Sequence, residues 1–136
     1  IKKNLEMGLI IIANGGGGIP VVVENGEIKG SEAVIDKDRS SALLAKELNV
    51  ELFVISTDTD KVYLNFKKPD QKGINKATAE EMQEYYDEGH FPPGNMGPKV
   101  ESVLRFVKNG GKKAIITSYE YLPDALAEKA GTHIIP

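Results

Sequence analysis

The stretch Pro98-Lys99-Val100-Glu101-Ser102-Val103-Leu104-Arg105-Phe106-Val107-Lys108-Asn109-Gly110-Gly111, running on into Ala114-Ile115-Ile116-Thr117, decides the fold class. Val100, Val103, Leu104 and Val107 fall at i, i+3, i+4 and i+7, a spacing that puts four apolar side chains on one face of a helix. Pro98 suits the first turn, where its missing N–H is not needed. Asn109-Gly110-Gly111 can take the left-handed conformation that closes a helix. The apolar, β-branched run that follows is short and bounded, which predicts a strand buried on both faces. A helix returning onto a buried strand is the building unit of an α/β layer fold.

The same alternation recurs on both sides of this unit. Upstream, Leu52-Phe53-Val54-Ile55 predicts a strand that stops at the polar cluster Ser56-Thr57-Asp58-Thr59-Asp60. Helical spacing begins after Asp38, with Leu43, Leu44 and Leu48 on one side. Leu9-Ile10-Ile11-Ile12-Ala13 reads as another strand buried on both faces, followed by four glycines and a second β-branched run, Val21-Val22-Val23. Asn25-Gly26 predicts a hairpin turn. Residues 67–76 turn polar around Pro69 and Gly73 and predict a surface loop. Thr78 and Glu81 have capping-box spacing, so a helix is expected from there to Glu88, with Met82, Tyr85 and Tyr86 as its apolar face. Downstream, a short helix is expected from Tyr121 to Ala130 and a last strand from Thr132 to Ile135. The expected fold is α/β, one domain with an open, largely parallel sheet.

Composition narrows the function. The 136 residues are 40% hydrophobic and 27% charged, a globular balance. A chain of that length removes roughly two-thirds of its extended surface from water on folding. The absence of cysteine excludes disulfides, a thiol nucleophile and thiolate-bound zinc from this chain. His90 and His133 are too few and too far apart for a local metal motif. A net charge of −3 and a pI near 5.4 provide no basic field for nucleic acid. No apolar run approaches the ~20 residues of a membrane-spanning helix.

Three places carry chemistry. Gly15, Gly16, Gly17 and Gly18 lack Cβ atoms and can bring successive N–H groups close to an anion, although the same run would also serve as a flexible linker. They are neither a Walker A loop, since no Gly-Lys-Ser/Thr follows, nor a dinucleotide fingerprint, since a strand rather than a helix follows. Asp36-Lys37-Asp38 stands before a helix. Asp38 is there either a plain N-cap or part of a device that aims Lys37 at a phosphoryl group. Lys99 stands near a helix N-terminus, where its charge opposes the macrodipole by a few tenths to about 1 kcal/mol. On sequence alone its removal should change stability by no more than about ±0.5 kcal/mol. An anion held between that ammonium and the free N–H groups would turn the penalty into a site. Thr57-Asp58-Thr59-Asp60 lacks the glycine and distal glutamate of a calcium loop. It sits at the carboxyl end of a strand, where ligands of parallel sheets lie, with Tyr63 and Phe66 nearby as apolar faces for a base. His90 receives no role.

Gly15-Gly16-Gly17-Gly18-Ile19-Pro20-Val21 resembles the glycine loop of carbamate kinases, in the amino-acid kinase superfamily. Glu32-Ala33-Val34-Ile35-Asp36-Lys37-Asp38 is similar to their next block. Glu88-Gly89-His90-Phe91 with Gly94-Asn95-Met96-Gly97-Pro98-Lys99-Val100 is similar to a third, with Asn95 where serine is usual. The resemblance implies an open α/β/α sandwich and phosphoryl transfer between ATP and carbamate, giving carbamoyl phosphate and ADP. It implies that Mg²⁺ is carried on the nucleotide phosphates, with no metal ligand from the protein. Lys37 and Lys99 would neutralise the transferring phosphoryl group and Asp38 would hold both lysines. Gly15 to Gly18 would lie on the phosphoryl and acceptor side. Thr57, Asp58 and Tyr63 would border the nucleotide, and Met96 and Gly97 would line its pocket.

Only small-molecule substrates, a cytoplasmic setting in arginine metabolism and a homodimer of the complete protein follow from the same resemblance. The family's amino-terminal, acceptor-binding half has no counterpart in these residues. The chain, 1–136, is therefore expected to be a single carboxy-terminal nucleotide-binding domain, inactive alone because both reactants must be held in line. Another small-acid or phosphate kinase of the superfamily, or a nucleotide-binding module without turnover, would carry the same motifs.

Overall fold

The computed structural model describes residues 1–136. In chain order its elements are α1 (Lys2–Glu6), β1 (Val21–Glu24), β2 (Glu27–Gly30), α2 (Lys37–Glu47), β3 (Leu52–Thr57), β4 (Val62–Leu64), β5 (Lys72–Ile74), β6 (Lys76–Thr78), α3 (Ala79–Asp87), α4 (Met96–Lys108), β7 (Lys113–Ser118), α5 (Leu122–Leu126) and β8 (Thr132–Ile135). The central sheet runs β3-β7-β8-β6. β3 pairs parallel with β7 and β6 parallel with β8, while β7 and β8 are antiparallel. The class is α/β as expected, but the sheet is mixed rather than largely parallel: two strands run one way and two the other, because β8 turns back against β7.

α4 is the centre of the core. Val100, Val103, Leu104 and Val107 are all buried, and they join Ala114 and Ile116 of β7, Ile134 of β8 and Met82 of α3 in one cluster. Each of these valine, leucine, isoleucine and methionine side chains contributes roughly 1.5–3 kcal/mol by leaving water. Phe106 on the same helix meets Phe53 of β3 with ring centroids 5.4 Å apart. α3 starts from a complete capping box: the Thr78 hydroxyl accepts from the Glu81 N–H, and the Glu81 carboxylate accepts from the Thr78 N–H. Side chains alternate along a strand, so Ile115 and Thr117 face away from α4, toward α5 and the turn at Gly131.

Several expectations change. Leu9–Ala13 forms no strand, and Ile10 and Ile12 are 97% and 99% exposed. A strand buried on both faces needs a ladder partner and two covering layers, and in this structure residues 9–13 pair with no strand and lie under no layer. The glycine run consequently does not join two strands of one sheet. β1 and β2 form a separate two-stranded hairpin, closed by Asn25-Gly26 as expected, with Glu24 opposite Glu27. Residues 67–76 are not loop throughout, because β5 pairs antiparallel with β4 and β6 takes the edge of the central sheet. These three-residue strands are too short to show a period. The Tyr121–Ala130 helix contracts to Leu122–Leu126, and Glu128 leaves it with a left-handed φ of 62°.

Candidate active site

Two helix N-termini and the glycine loop meet here. α2 is capped by Asp36, whose backbone is extended and whose Oδ1 accepts from the N–H groups of Asp38 and Arg39, both at 2.9 Å. The capping residue is therefore Asp36, two positions earlier than the sequence suggests. This frees the Asp38 carboxylate, which accepts a hydrogen bond from Lys99 Nζ at 2.8 Å. Both side chains of that pair are only 12% exposed. Lys99 thus has a structural partner that its position against the α4 dipole does not reveal.

One residue further along α2 and two along α4, Arg39 donates to Glu101 at 2.6 Å, so the helices are tied by two ion pairs of opposite polarity. The hydrogen bond and charge of Glu101 hold the Arg39 pKa above its ordinary value. That pair is half-exposed and contributes little to stability.

Lys37, the first residue of α2, makes no ion pair and is exposed. The expectation that Asp38 holds both lysines is half met, since Asp38 holds Lys99 alone. The reason is geometric: residues 37 and 38 are adjacent on a helix and their side chains diverge. Gly17 brings the glycine loop to the same place. It has φ of 84°, and a Cβ on it would lie 2.2 Å from the Ile35 carbonyl oxygen and 3.3 Å from the Lys37 nitrogen. Only glycine permits that approach. Gly15, Gly16 and Gly18 are exposed, and only Gly17 is buried.

A second feature begins at the same turn of α4. Met96, Tyr63, Phe66, Thr59, His90 and Phe91 are among the residues lining a cleft. The Tyr63 and Phe66 rings are 5.9 Å apart, and Lys67 Nζ lies 5.5 Å from the Phe66 centroid. The Tyr63 hydroxyl donates to Asp60 at 2.8 Å. Burial first, then the Asp60 carboxylate, pushes its pKa above the ordinary tyrosine value. The cleft holds about 60 Å³, below the ~300–1,000 Å³ usual for small-molecule sites.

Gly97 sits beneath this turn, its absent Cβ leaving room for the Pro92 carbonyl oxygen, which a Cβ would approach to 2.8 Å. Thr57 and Asp58 do not line the cleft. The Thr57 hydroxyl donates to the Asp58 carboxylate at 3.1 Å at the carboxyl end of β3. Thr59 and His90 do line it, and the sequence reading assigned neither. The enclosed Thr59 hydroxyl has no hydrogen-bond partner, and His90 packs edge-on to Tyr85 while its Nε2 lies 3.1 Å from Glu88. The polar cluster 56–60 was the available signal for Thr59. His90 carried none.

A model of the amino acid kinase family matches residues 1–118. The chain belongs to that family. Among its relatives, the carbamate kinase of Thermoplasma volcanium is 52% identical over all of this chain, which covers 45% of that protein. The carbamate kinase of Thermococcus kodakarensis is 49% identical over 96% of this chain and 42% of its own length. The structure of the carbamate kinase from Giardia lamblia bound to AMP-PNP superposes with a TM-score of 0.95 at 42% identity, over 98% of this chain and 42% of that one. The chain thus spans less than half the length of the relatives it matches.

Proposed function

We propose that this chain is the carboxy-terminal, nucleotide-binding part of a carbamate kinase, which moves a phosphoryl group between ATP and carbamate to give carbamoyl phosphate and ADP. The observation that carries the reading is the Asp38–Lys99 pair at two helix N-termini, with Gly17 seated on the first of them. The free N–H groups of a helix start attract phosphate oxygens. Lys99 is held by Asp38 in a site with little water, where its charge acts on the transferring group with little screening. Lys37, unpaired at the start of α2, supplies a second, movable ammonium. The base would lie on the Tyr63 and Phe66 rings with Met96 at its edge. Thr57 and Asp58 would border the nucleotide from the end of β3.

Catalysis in this reading is positioning and charge neutralisation, with no covalent intermediate on the protein. Mg²⁺ fits as a passenger of the nucleotide rather than a ligand of the chain. The carboxylate nearest the proposed phosphates, Asp38, is already committed to Lys99, so the ion would neutralise phosphate charge from the nucleotide side. The homodimer, the cytoplasmic setting and the place in arginine metabolism belong to the same proposal and rest on the likeness to carbamate kinases. The test is ATP formation from ADP and carbamoyl phosphate by the complete protein, with and without Lys99→Ala. Turnover in the parent that falls by orders of magnitude in the variant supports the reading. Tight ATP binding without turnover in the parent would leave a nucleotide-binding module instead.

A further inference from the structure

A second pocket, of about 370 Å³, lies on the side of the central sheet away from α4. Ile134 of β8 points into the core, so its neighbour His133 faces the other way, beside Lys76 of β6 in the parallel register. Lys61, Lys113 and Lys129 complete a wall of four lysines, with Glu128 as its one carboxylate, leaving three positive charges uncompensated. These lysines come from four separate places in the chain, so the fold, not a local run of charge, brings them together. We propose that this pocket binds a small multivalent phosphate-type oxyanion, and that Glu128 is a tethered competitor for part of it.

Four ammonium groups around one cavity repel each other, and a vacant pocket gains nothing from the arrangement. Lys61 is satisfied by Asn75 at 2.7 Å and Lys113 by Glu128, but Lys76 and Lys129 have no ion-pair partner. His133 is only 7% exposed. Its Nε2 lies 2.8 Å from the Ala130 carbonyl, which can only accept, so Nε2 carries the proton. Its Nδ1 is enclosed and makes no hydrogen bond, so the ring shapes the wall while the lysines carry its charge.

Glu128 places the one carboxylate at the rim of the pocket, its side chain 73% exposed. It adopts a left-handed φ of 62°, unfavourable for a residue with a Cβ, and its carboxylate sits 2.5 Å from Lys113 Nζ. Lys113 holds its carboxyl below the ordinary range, with smaller contributions from His133 and Lys76. A compact ammonium suits phosphate as a point charge and imposes no planar geometry. The volume lies within the ~300–1,000 Å³ of small-molecule sites and admits a pyrophosphate-sized ion.

The test titrates inorganic pyrophosphate calorimetrically, at fixed ionic strength and without Mg²⁺, into the complete protein saturated with AMP-PNP. The nucleotide analogue separates this pocket from the site at Lys99. One saturable site is expected, weakened at least tenfold in Lys76→Gln/Lys129→Gln and tightened at least threefold in Glu128→Gln. Glu128→Gly, which suits the backbone conformation, should show the same gain and so excludes misfolding as its source. Absence of saturable binding under AMP-PNP, or an affinity unchanged in either set of variants, overturns the proposal.

Discussion

Replacing Lys99 by alanine tests whether this lysine is held by the fold or only tolerated by it. Against the α4 dipole alone, removal relieves a repulsion of a few tenths to about 1 kcal/mol. The structure reverses the sign, because the Asp38 carboxylate would lose its partner while 12% exposed. Exposed pairs contribute about 0.2–1 kcal/mol. Removing one partner from a fully buried pair costs about 3–5 kcal/mol. With both side chains at 12% exposure the cost lies toward the buried end, and after the dipole relief it comes to about 2–3 kcal/mol.

Native-state hydrogen exchange on the complete protein reads this locally, as a roughly 30- to 150-fold faster exchange of protected α2 and α4 amides. Adding Asp38→Asn to Lys99→Ala removes the stranded charge. The double variant should then recover at least 1 kcal/mol of the loss, a coupling expected of residues in contact. Turnover should stay several orders of magnitude down in both, since neither restores the ammonium. A Lys99→Ala protein whose α2 and α4 amides exchange within about threefold of wild type, or a double variant with no coupling, would refute the pairing argument.

Other outcomes follow from the same geometry. Asp36→Ala should cost about 1 kcal/mol while Asp36→Asn is nearly neutral, measured by thermal unfolding, because the cap is Asp36 and asparagine caps as well. Gly17→Ala should lift the glycine loop from Ile35, at a local cost of about 1–3 kcal/mol. The readout is proteolysis at residues 14–18 with the melting temperature almost unchanged, together with lost turnover. Tyr63 should titrate above pH 10 by absorbance at 295 nm. Its folded pKa exceeds the unfolded one, so its share of stability is intact below about pH 10 and is lost as pH rises through the folded value. Tyr63→Phe should remove that part of the alkaline loss in a series of melts from pH 9 to 11.5.

Elements whose information is local were legible. The i, i+3, i+4, i+7 spacing of α4, the Thr78–Glu81 box and the Asn25-Gly26 turn all formed where their residues predicted, because each depends on neighbours within a turn or two. Leu9–Ala13 failed because an apolar run is a strand only where another strand accepts its ladder, and composition cannot say whether one is present. The cap of α2 was misplaced by two residues because Asp36 and Asp38 are chemically equal candidates. Only the extended backbone at Asp36 distinguishes them.

The sequence by itself determined the α/β class, the α4 core face, and which glycine and lysine blocks could carry phosphate chemistry. Tertiary structure decided which of those residues meet. Asp38 and Lys99 are 61 positions apart, and Lys61, between β3 and β4, lines one pocket with His133 of β8. Such contacts are set by how helices cross and how strands order in a sheet. A side chain's local period records which face it occupies, but not what stands opposite that face.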